Sequence, residues 1–459
     1  MPLCILHIST RLILGGSQEN TVLSCEGQAR RGHEVHLAFG PIFGPEGSML
    51  DRVRAFRTAD GRSIETHELR HLIRPVNPFA DHVCFHHELR PLIRRLRPDI
   101  VHTHSSKAGI LGRWAAWKEL ARMAKAERCG IVHTVHGPPF MPVDGGMFSR
   151  SKTRLVNMVY THAERFAARR CHSIVCVADA MRDEFLRRRI GRPEQYVTVR
   201  SGIDLTPFTN FSIEESREPM RASLGFTNDD FVIGTVARLA QHKGHDDLLE
   251  ALGGILKTNP SWRLLWVGDG WWRGRLVAKA WAMGIGVREL DREGEKKEVG
   301  EGNAGEPPPL PAPRDGVDER THPAAQLVLT GLVPPTRVPG LMRAMDILAH
   351  PSSREGLPRT VPQALLAGEG GNDGRGVCPV AYDADGTREA CIEMQTGRLV
   401  RVGDISGLRE AIAWCAANPQ ERQRLAERGR EMCLREFGSE TMVERLEEVY
   451  ERAMVLARA

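Results

Sequence analysis

Arg238 and Lys243 stand five residues apart, just after an apolar, β-branched run at residues 231–236. Two fixed cations at that spacing suit a diphosphate, whose charge they neutralise. Further on, Glu355-Gly356-Leu357-Pro358 sets a carboxylate and a turn ahead of a stretch read as helix. Free N–H groups at a helix start attract phosphate, and a carboxylate accepts hydrogen bonds from sugar hydroxyls. One segment grips charge and the other grips hydroxyls, which together describe a nucleotide-sugar site. As a sugar leaves, negative charge grows on the β-phosphate, and fixed cations stabilise it. No metal is expected at the site if these cations do that work, and the reading finds no Asp-x-Asp triplet to hold one. The bland alternative is a surface Arg and Lys at a strand–helix junction.

Other residues in the first half could reach a substrate. Gly15-Gly16 follows the first strand, where missing side chains let a ligand approach the backbone; the same pair also makes an ordinary turn. No Gly-x-Gly-x-x-Gly is present, so it is not a dinucleotide fingerprint. His136 stands just past a strand, before Gly137-Pro138-Pro139, where a neutral imidazole can donate to a sugar hydroxyl or simply anchor a loop. His102 and His104 are read as facing opposite sides of their strand, which leaves His104, nearer the strand end, to reach the site. Two histidines without a third ligand do not suggest a metal. Lys107 and Arg113 flank a helix start and could meet an anionic acceptor, or be structural. Trp271 and Trp272 could stack on a base or cover a domain edge.

The elements that must position these residues alternate. Strands are read at 3–8, 34–39, 99–102, 131–134 and 173–177, then at 231–236, 264–267, 326–330, 347–350 and 379–382, with helical patterns between them. Such alternation implies parallel sheets with right-handed crossovers. At 459 residues the chain needs two or three domains. A first domain at 1–205, a second at 206–438 and a C-terminal helix at 439–459 returning to the first are expected. Residues 288–325, dense in Glu, Lys, Gly and Pro, read as a disordered insertion, and 369–377 as a Gly-rich loop near the site. Net charge is +5, too mild for a nucleic-acid partner. Ten scattered cysteines without a Cys-x-x-Cys pair fit a reduced compartment. The reading is cytoplasmic, with Arg-rich patches at 90–97 and 187–192 allowing peripheral contact with the inner membrane face.

In this order the motifs resemble retaining glycosyltransferases of the GT-B class, family 4. The residues that carry it are Gly15-Gly16, His102-Thr103-His104, Ala108-Gly109, Gly112-Arg113, His136-Gly137, Ser201-Gly202-Ile203-Asp204, Ala237-Arg238-Leu239, Lys243-Gly244, Val267-Gly268-Asp269-Gly270, Thr330-Gly331, Glu355-Gly356-Leu357-Pro358 and Gly386-Thr387-Arg388-Glu389. The resemblance implies an α/β fold of two facing doubly wound Rossmann-like domains with an interdomain cleft. It implies Glu355, His136, Arg238 and Lys243 in catalysis. Gly16, Arg238, Lys243, Gly268, Val333, Glu355, Gly356, Leu357 and Gln363 would bind the donor, with His104 and Lys107 on the acceptor side. In the family's Glu-x7-Glu motif the second acid contacts the ribose. Here that position is Gln363, which accepts one uncharged hydrogen bond, and eight residues of helix would turn it to the side of Glu355.

The expected activity is transfer of a hexose-type sugar, with retention, from a UDP- or GDP-sugar to a glycan, lipid-linked or small-molecule hydroxyl, without a cofactor. The rivals are a nucleotide-sugar epimerase of the same architecture, a catalytically weak nucleotide-sugar-binding protein, and a membrane-associated scaffold.

Overall fold

The computed structural model describes residues 2–42, 47–137, 140, 147–290, 325–368 and 376–459. The chain divides into two compact units, Met1–Asp204 with Glu436–Ala459, and Leu205–Arg435.

The first unit is built on strands β1 (Cys4–Ser9), β2 (Glu34–Phe39), β3 (Ile64–Glu68), β4 (Ile100–His104), β5 (Gly130–Val135), β6 (Ser173–Cys176) and β7 (Tyr196–Thr198). They form one sheet in the order β3-β2-β1-β4-β5-β6-β7, every pair parallel. Parallel strands covered by helices on both faces bury nearly every residue, and β5 is buried along its whole length. One cover is the C-terminal helix Ser439–Arg458. Its Met442, Val443, Leu446, Val449, Tyr450 and Ala453 recur at helical spacing and pack with Ile5, Leu23, Ile100, Val132 and Val175.

The second unit repeats the plan with β8 (Phe231–Val236), β9 (Trp262–Val267), β10 (Val287–Glu289), β11 (Leu327–Leu329), β12 (Ile347–His350), β13 (Cys378–Tyr382) and β14 (Arg398–Val400), ordered β10-β11-β9-β8-β12-β13-β14 and again parallel. In each sheet the order reverses beside the first strand, between β1 and β4 and between β8 and β12. In open α/β sheets ligands bind at that switch point, outside the carboxyl ends of the strands.

Sequence and structure part company in places. The strands absent from the sequence reading are β3, β7, β10 and β14, the four sheet edges. The tract expected as an insertion from 288 begins later, since Arg288 and Glu289 complete β10; residues 291–324 lie outside the described residues. So do 369–375 of the Gly-rich segment, whereas Val377 is buried just before β13. Ten cysteines are free. Among the described residues no helix is long and apolar enough to cross a membrane.

Candidate functional site

At the β8/β12 switch point the loops after the two strands are tied together. The short 3-10 turn Gln241–Lys243 follows β8 and runs into the helix His245–Thr258 through Gly244. Gly244 has φ +73°, and a Cβ there would meet the Pro351 carbonyl oxygen at 1.9 Å. Only glycine satisfies both demands. The His242 carbonyl accepts from Ser353 N at 2.9 Å and from Ser352 Oγ at 3.2 Å. This lacing presents Lys243 to Glu355, with which it forms an ion pair across 112 positions of sequence. His350 Nε2 lies 3.1 Å from the same carboxylate oxygen, and its Nδ1 lies 3.3 Å from Thr360 Oγ1.

Burial alone would raise the Glu355 carboxyl. The His350 hydrogen bond and the Lys243 charge outweigh it and hold the group well below the usual carboxylate range. Glu355 is therefore an anion, pinned on one oxygen. Its backbone N–H donates to Asp385 Oδ2 at 2.8 Å, and Gly386 N donates to the Gly356 carbonyl at 3.0 Å. The sequence does hold one Asp-x-Asp triplet, Asp383-Ala384-Asp385. Asp383 is held by Arg388 at 2.9 and 2.7 Å while Asp385 serves Glu355, so the two carboxylates have separate partners.

Arg238 follows β8 as an exposed side chain, its guanidinium 5.7 Å from the ring centroid of exposed Trp271. Trp272 is fixed at the edge, its Nε1 donating to Asp246 Oδ2 at 2.8 Å. Gly268, at φ +134°, bridges Gly331, and a Cβ would meet the Ala237 carbonyl oxygen at 2.2 Å. Val333 is half-buried just beyond, and Leu357 is buried. Gln363 is half-buried in the helix Thr360–Leu366. Glu355 precedes that helix, so the helical-turn argument for setting Glu355 and Gln363 on one side does not hold.

In the first unit His102 and His104 share a face of β4, their rings 4.2 Å apart, because residues two apart on a strand point the same way. The expectation of opposite faces was mistaken. Both belong to a buried chain of hydrogen bonds. His136 Nε2 lies 3.0 Å from His104 Nδ1, His104 Nε2 lies 2.9 Å from His7 Nδ1, and His7 Nε2 lies 2.7 Å from Gln28 Oε1. Gln28 Nε2 donates to Tyr450 Oη at 2.8 Å, which lies 2.7 Å from His102 Nδ1. With the Gln28 amide placed so, each imidazole donates through Nε2 and accepts through Nδ1. His136 then offers Nδ1 as an acceptor, 3.4 Å from Asn20 Nδ2. Burial lowers His7 to about 4, against the opposing Gln28 bond, and holds His102 and His104 well below the usual range, helped by neighbouring imidazoles.

Gly16 is exposed at the first position of the helix Gly16–Arg30, close to the β1 end of the switch point. Lys107 pairs with Asp81 and donates to the Pro75 carbonyl, so its ammonium is already engaged. Arg113 is fully buried against Glu164 at 2.7 Å. The sequence reading did not single out His350, Asp385, His7, Gln28, Asn20 or Tyr450. His7 had a usable signal, because it sits mid-strand in a parallel sheet and pairs in register with His102.

The two parallel sheets, each with charged and polar groups at a switch point, are the two Rossmann-like domains of the GT-B fold. Residues 14–206 match the model for Glycosyltransferase Family 4, and 216–288 with 318–432 match that for glycosyl transferases group 1. The chain belongs to the group 1 glycosyltransferases. It is 32% identical over 185 residues to the Escherichia coli UDP-Gal:alpha-D-GlcNAc-diphosphoundecaprenol alpha-1,3-galactosyltransferase, covering 40% of this chain and 43% of that one. To the 2-deoxystreptamine N-acetyl-D-glucosaminyltransferase of Streptomyces fradiae it is 27% identical over 366 residues, 79% of this chain and 73% of that one. The Anabaena HepE structure with UDP-glucose superposes with a TM-score of 0.68 at 18% identity, covering 98% of this chain and 99% of that one, which establishes the fold.

Proposed function

We propose that the chain transfers a hexose-type sugar from a nucleoside diphosphate, uridine- or guanosine-linked, to a hydroxyl of a glycan, lipid-linked or small-molecule acceptor, with retention. The observation that carries this is the Lys243–Glu355–His350 cluster at the β8/β12 switch point, on the loop that also carries exposed Arg238. Arg238 and Lys243 take the diphosphate and stabilise the charge that develops on it. Glu355, with one oxygen pinned by Lys243 and His350, grips sugar hydroxyls with the other. Retention by double displacement calls for a free carboxylate nucleophile. A carboxylate tied this way suits hydroxyl binding, which favours front-face substitution with the leaving phosphate taking the acceptor proton. In the second unit Gly268, Val333, Gly356, Leu357 and Gln363 are assigned to the donor; in the first, Gly16 is assigned to the donor, His136 to the transferred sugar and His104 to the acceptor side. The relatives support the substrate class, since one is named for a UDP-galactose donor and a diphosphoundecaprenol acceptor, and HepE was solved with UDP-glucose. A lipid-linked acceptor would bring the enzyme to a membrane surface. In this reading the two cations serve the diphosphate without a metal ion.

The test is calorimetric titration of UDP, GDP and their hexose conjugates into the wild type and Lys243→Ala, with nucleotide release measured against candidate acceptors. Tight binding of one diphosphate series, lost in the variant, is expected. Equal affinity in both proteins would overturn the assignment. Donor conversion without an acceptor would point to an epimerase.

A further inference from the structure

The outer strands of the first unit hold a second cluster that the transfer reaction does not use. His36 on β2 and Glu65 and His67 on β3 lie on one face, as the register His36↔Glu65 and Ala38↔His67 requires. His36 Nδ1 is 3.1 Å from His67 Nε2 and 3.4 Å from Glu65 Oε2, and His67 Nε2 is 3.7 Å from Glu65 Oε1. Three donor atoms bound at zinc-nitrogen length around a tetrahedral ion stand about 3.3 Å apart. The two distances from His36 Nδ1 lie on either side of that value, and Glu65 meets His67 through its other oxygen; with one ligand atom taken from each residue, all three lie within 4.8 Å of one another.

On the other side of the ring, His36 Nε2 lies 3.0 Å from Glu34 Oε1. That carboxylate accepts the Nε2–H and so turns the lone pair of Nδ1 toward His67 and Glu65. A carboxylate behind a ligating histidine is the usual orienting partner at metal sites. His36 is buried, with 2% of its side chain exposed, and His67 has 11%, whereas Glu65 at 64% opens the cluster to solvent. The exposed guanidinium of Arg95 acts on His67 from outside the cluster. Glu34 and Glu65 outweigh Arg95 in charge.

We propose that His36 Nδ1, His67 Nε2 and Glu65 bind one divalent ion of the zinc class, with Glu34 orienting His36 and a fourth position left for water. On binding, the His67 proton moves from Nε2 to Nδ1, so no net charge need be lost from the neutral pair. The ion would join β3, the outermost strand, to its neighbour by coordination bonds. Cys4 lies on the Glu34 side of His36 and is the competing ligand. Choosing its thiol would forgo His67, which belongs to the other group of ligands around His36.

The experiment uses the full chain, stripped with chelator, titrated with Co(II) by absorbance and with Zn(II) by calorimetry. A saturable one-to-one site with tetrahedral cobalt bands and a zinc-dependent rise in Tm is expected. His67→Gln should lower zinc affinity at least 100-fold and Glu34→Gln about 10- to 100-fold, each with an unchanged circular dichroism spectrum. Weak binding that neither substitution alters would overturn the site, as would thiolate-to-cobalt charge-transfer bands, which would hand the ion to Cys4. Neither readout depends on glycosyl transfer.

Discussion

Lys243 shares its ammonium between Glu355 and the diphosphate it is proposed to meet, so a single truncation acts on both. Lys243→Ala should lower kcat/KM by about 10²- to 10³-fold, the usual effect of removing one preorganised charge contact, and raise the donor dissociation constant. Initial rates and calorimetry check this, with circular dichroism reporting an intact fold. The buried histidines act on stability. Above pH 6.5 His7 is neutral in both folded and unfolded chains, so it contributes nothing to the pH dependence. Between about 6.5 and 4 the unfolded chain takes up a proton that the folded one refuses. Unfolding is therefore favoured by up to about 1.4 kcal/mol per pH unit for each such group. His102 and His104, lowered in the same direction, add to the effect. Tm should fall steeply as pH drops from 6.5 to 4; a flat profile would show that these imidazoles are protonated in the fold. At this scale the meeting of Lys243 and Glu355 was legible because charge at a strand end is local in sequence. His350 was legible only as the end of a strand, since its contact with Glu355 depends on how the following turn folds back. Tyr450 was out of reach, because 422 positions separate it from Gln28.

Among the elements, the turn at Gly244 is the most exposed to a single change. Gly244→Ala asks an L-residue to hold φ +73° with its Cβ inside the Pro351 carbonyl. A loss of about 1–3 kcal/mol is expected, with weaker donor binding because Lys243 is displaced. Thermal melts and donor titration would measure the two effects, and a variant as stable as wild type would discount the strain. Tyr450→Phe removes a hydroxyl that bonds both Gln28 and His102, leaving a buried amide group and a ring nitrogen unmet, at about 1–3 kcal/mol. A denaturant melt of the variant gives the number. Ten inner strands were readable because burial on both faces forces continuous apolar runs. The four edges were not. β3, Ile-Glu-Thr-His-Glu, has one residue fully buried and two exposed, so its composition resembles a loop. It becomes a strand because β2 offers it a ladder, a cause that no local pattern records.

For the molecule as a whole, the family models leave 289–317 unmatched, although β10 and β11 on either side pair in register. Replacing 291–324 with a Gly/Ser tether of about a dozen residues, the length a parallel crossover needs, should leave both Tm and turnover unchanged. A drop in either would assign that tract a role. The two-domain plan was legible throughout, since alternation repeats twice and relaxes once near residue 204. The first unit is discontinuous, closed by Glu436–Ala459, whereas the second is one unbroken stretch. A ribosome therefore delivers every residue of the second unit before the first has its covering helix. Until translation reaches Tyr450, that side of β1, β4 and β5 has Leu23 of the helix Gly16–Arg30 over it but not the final helix, and its apolar residues stay partly open to water.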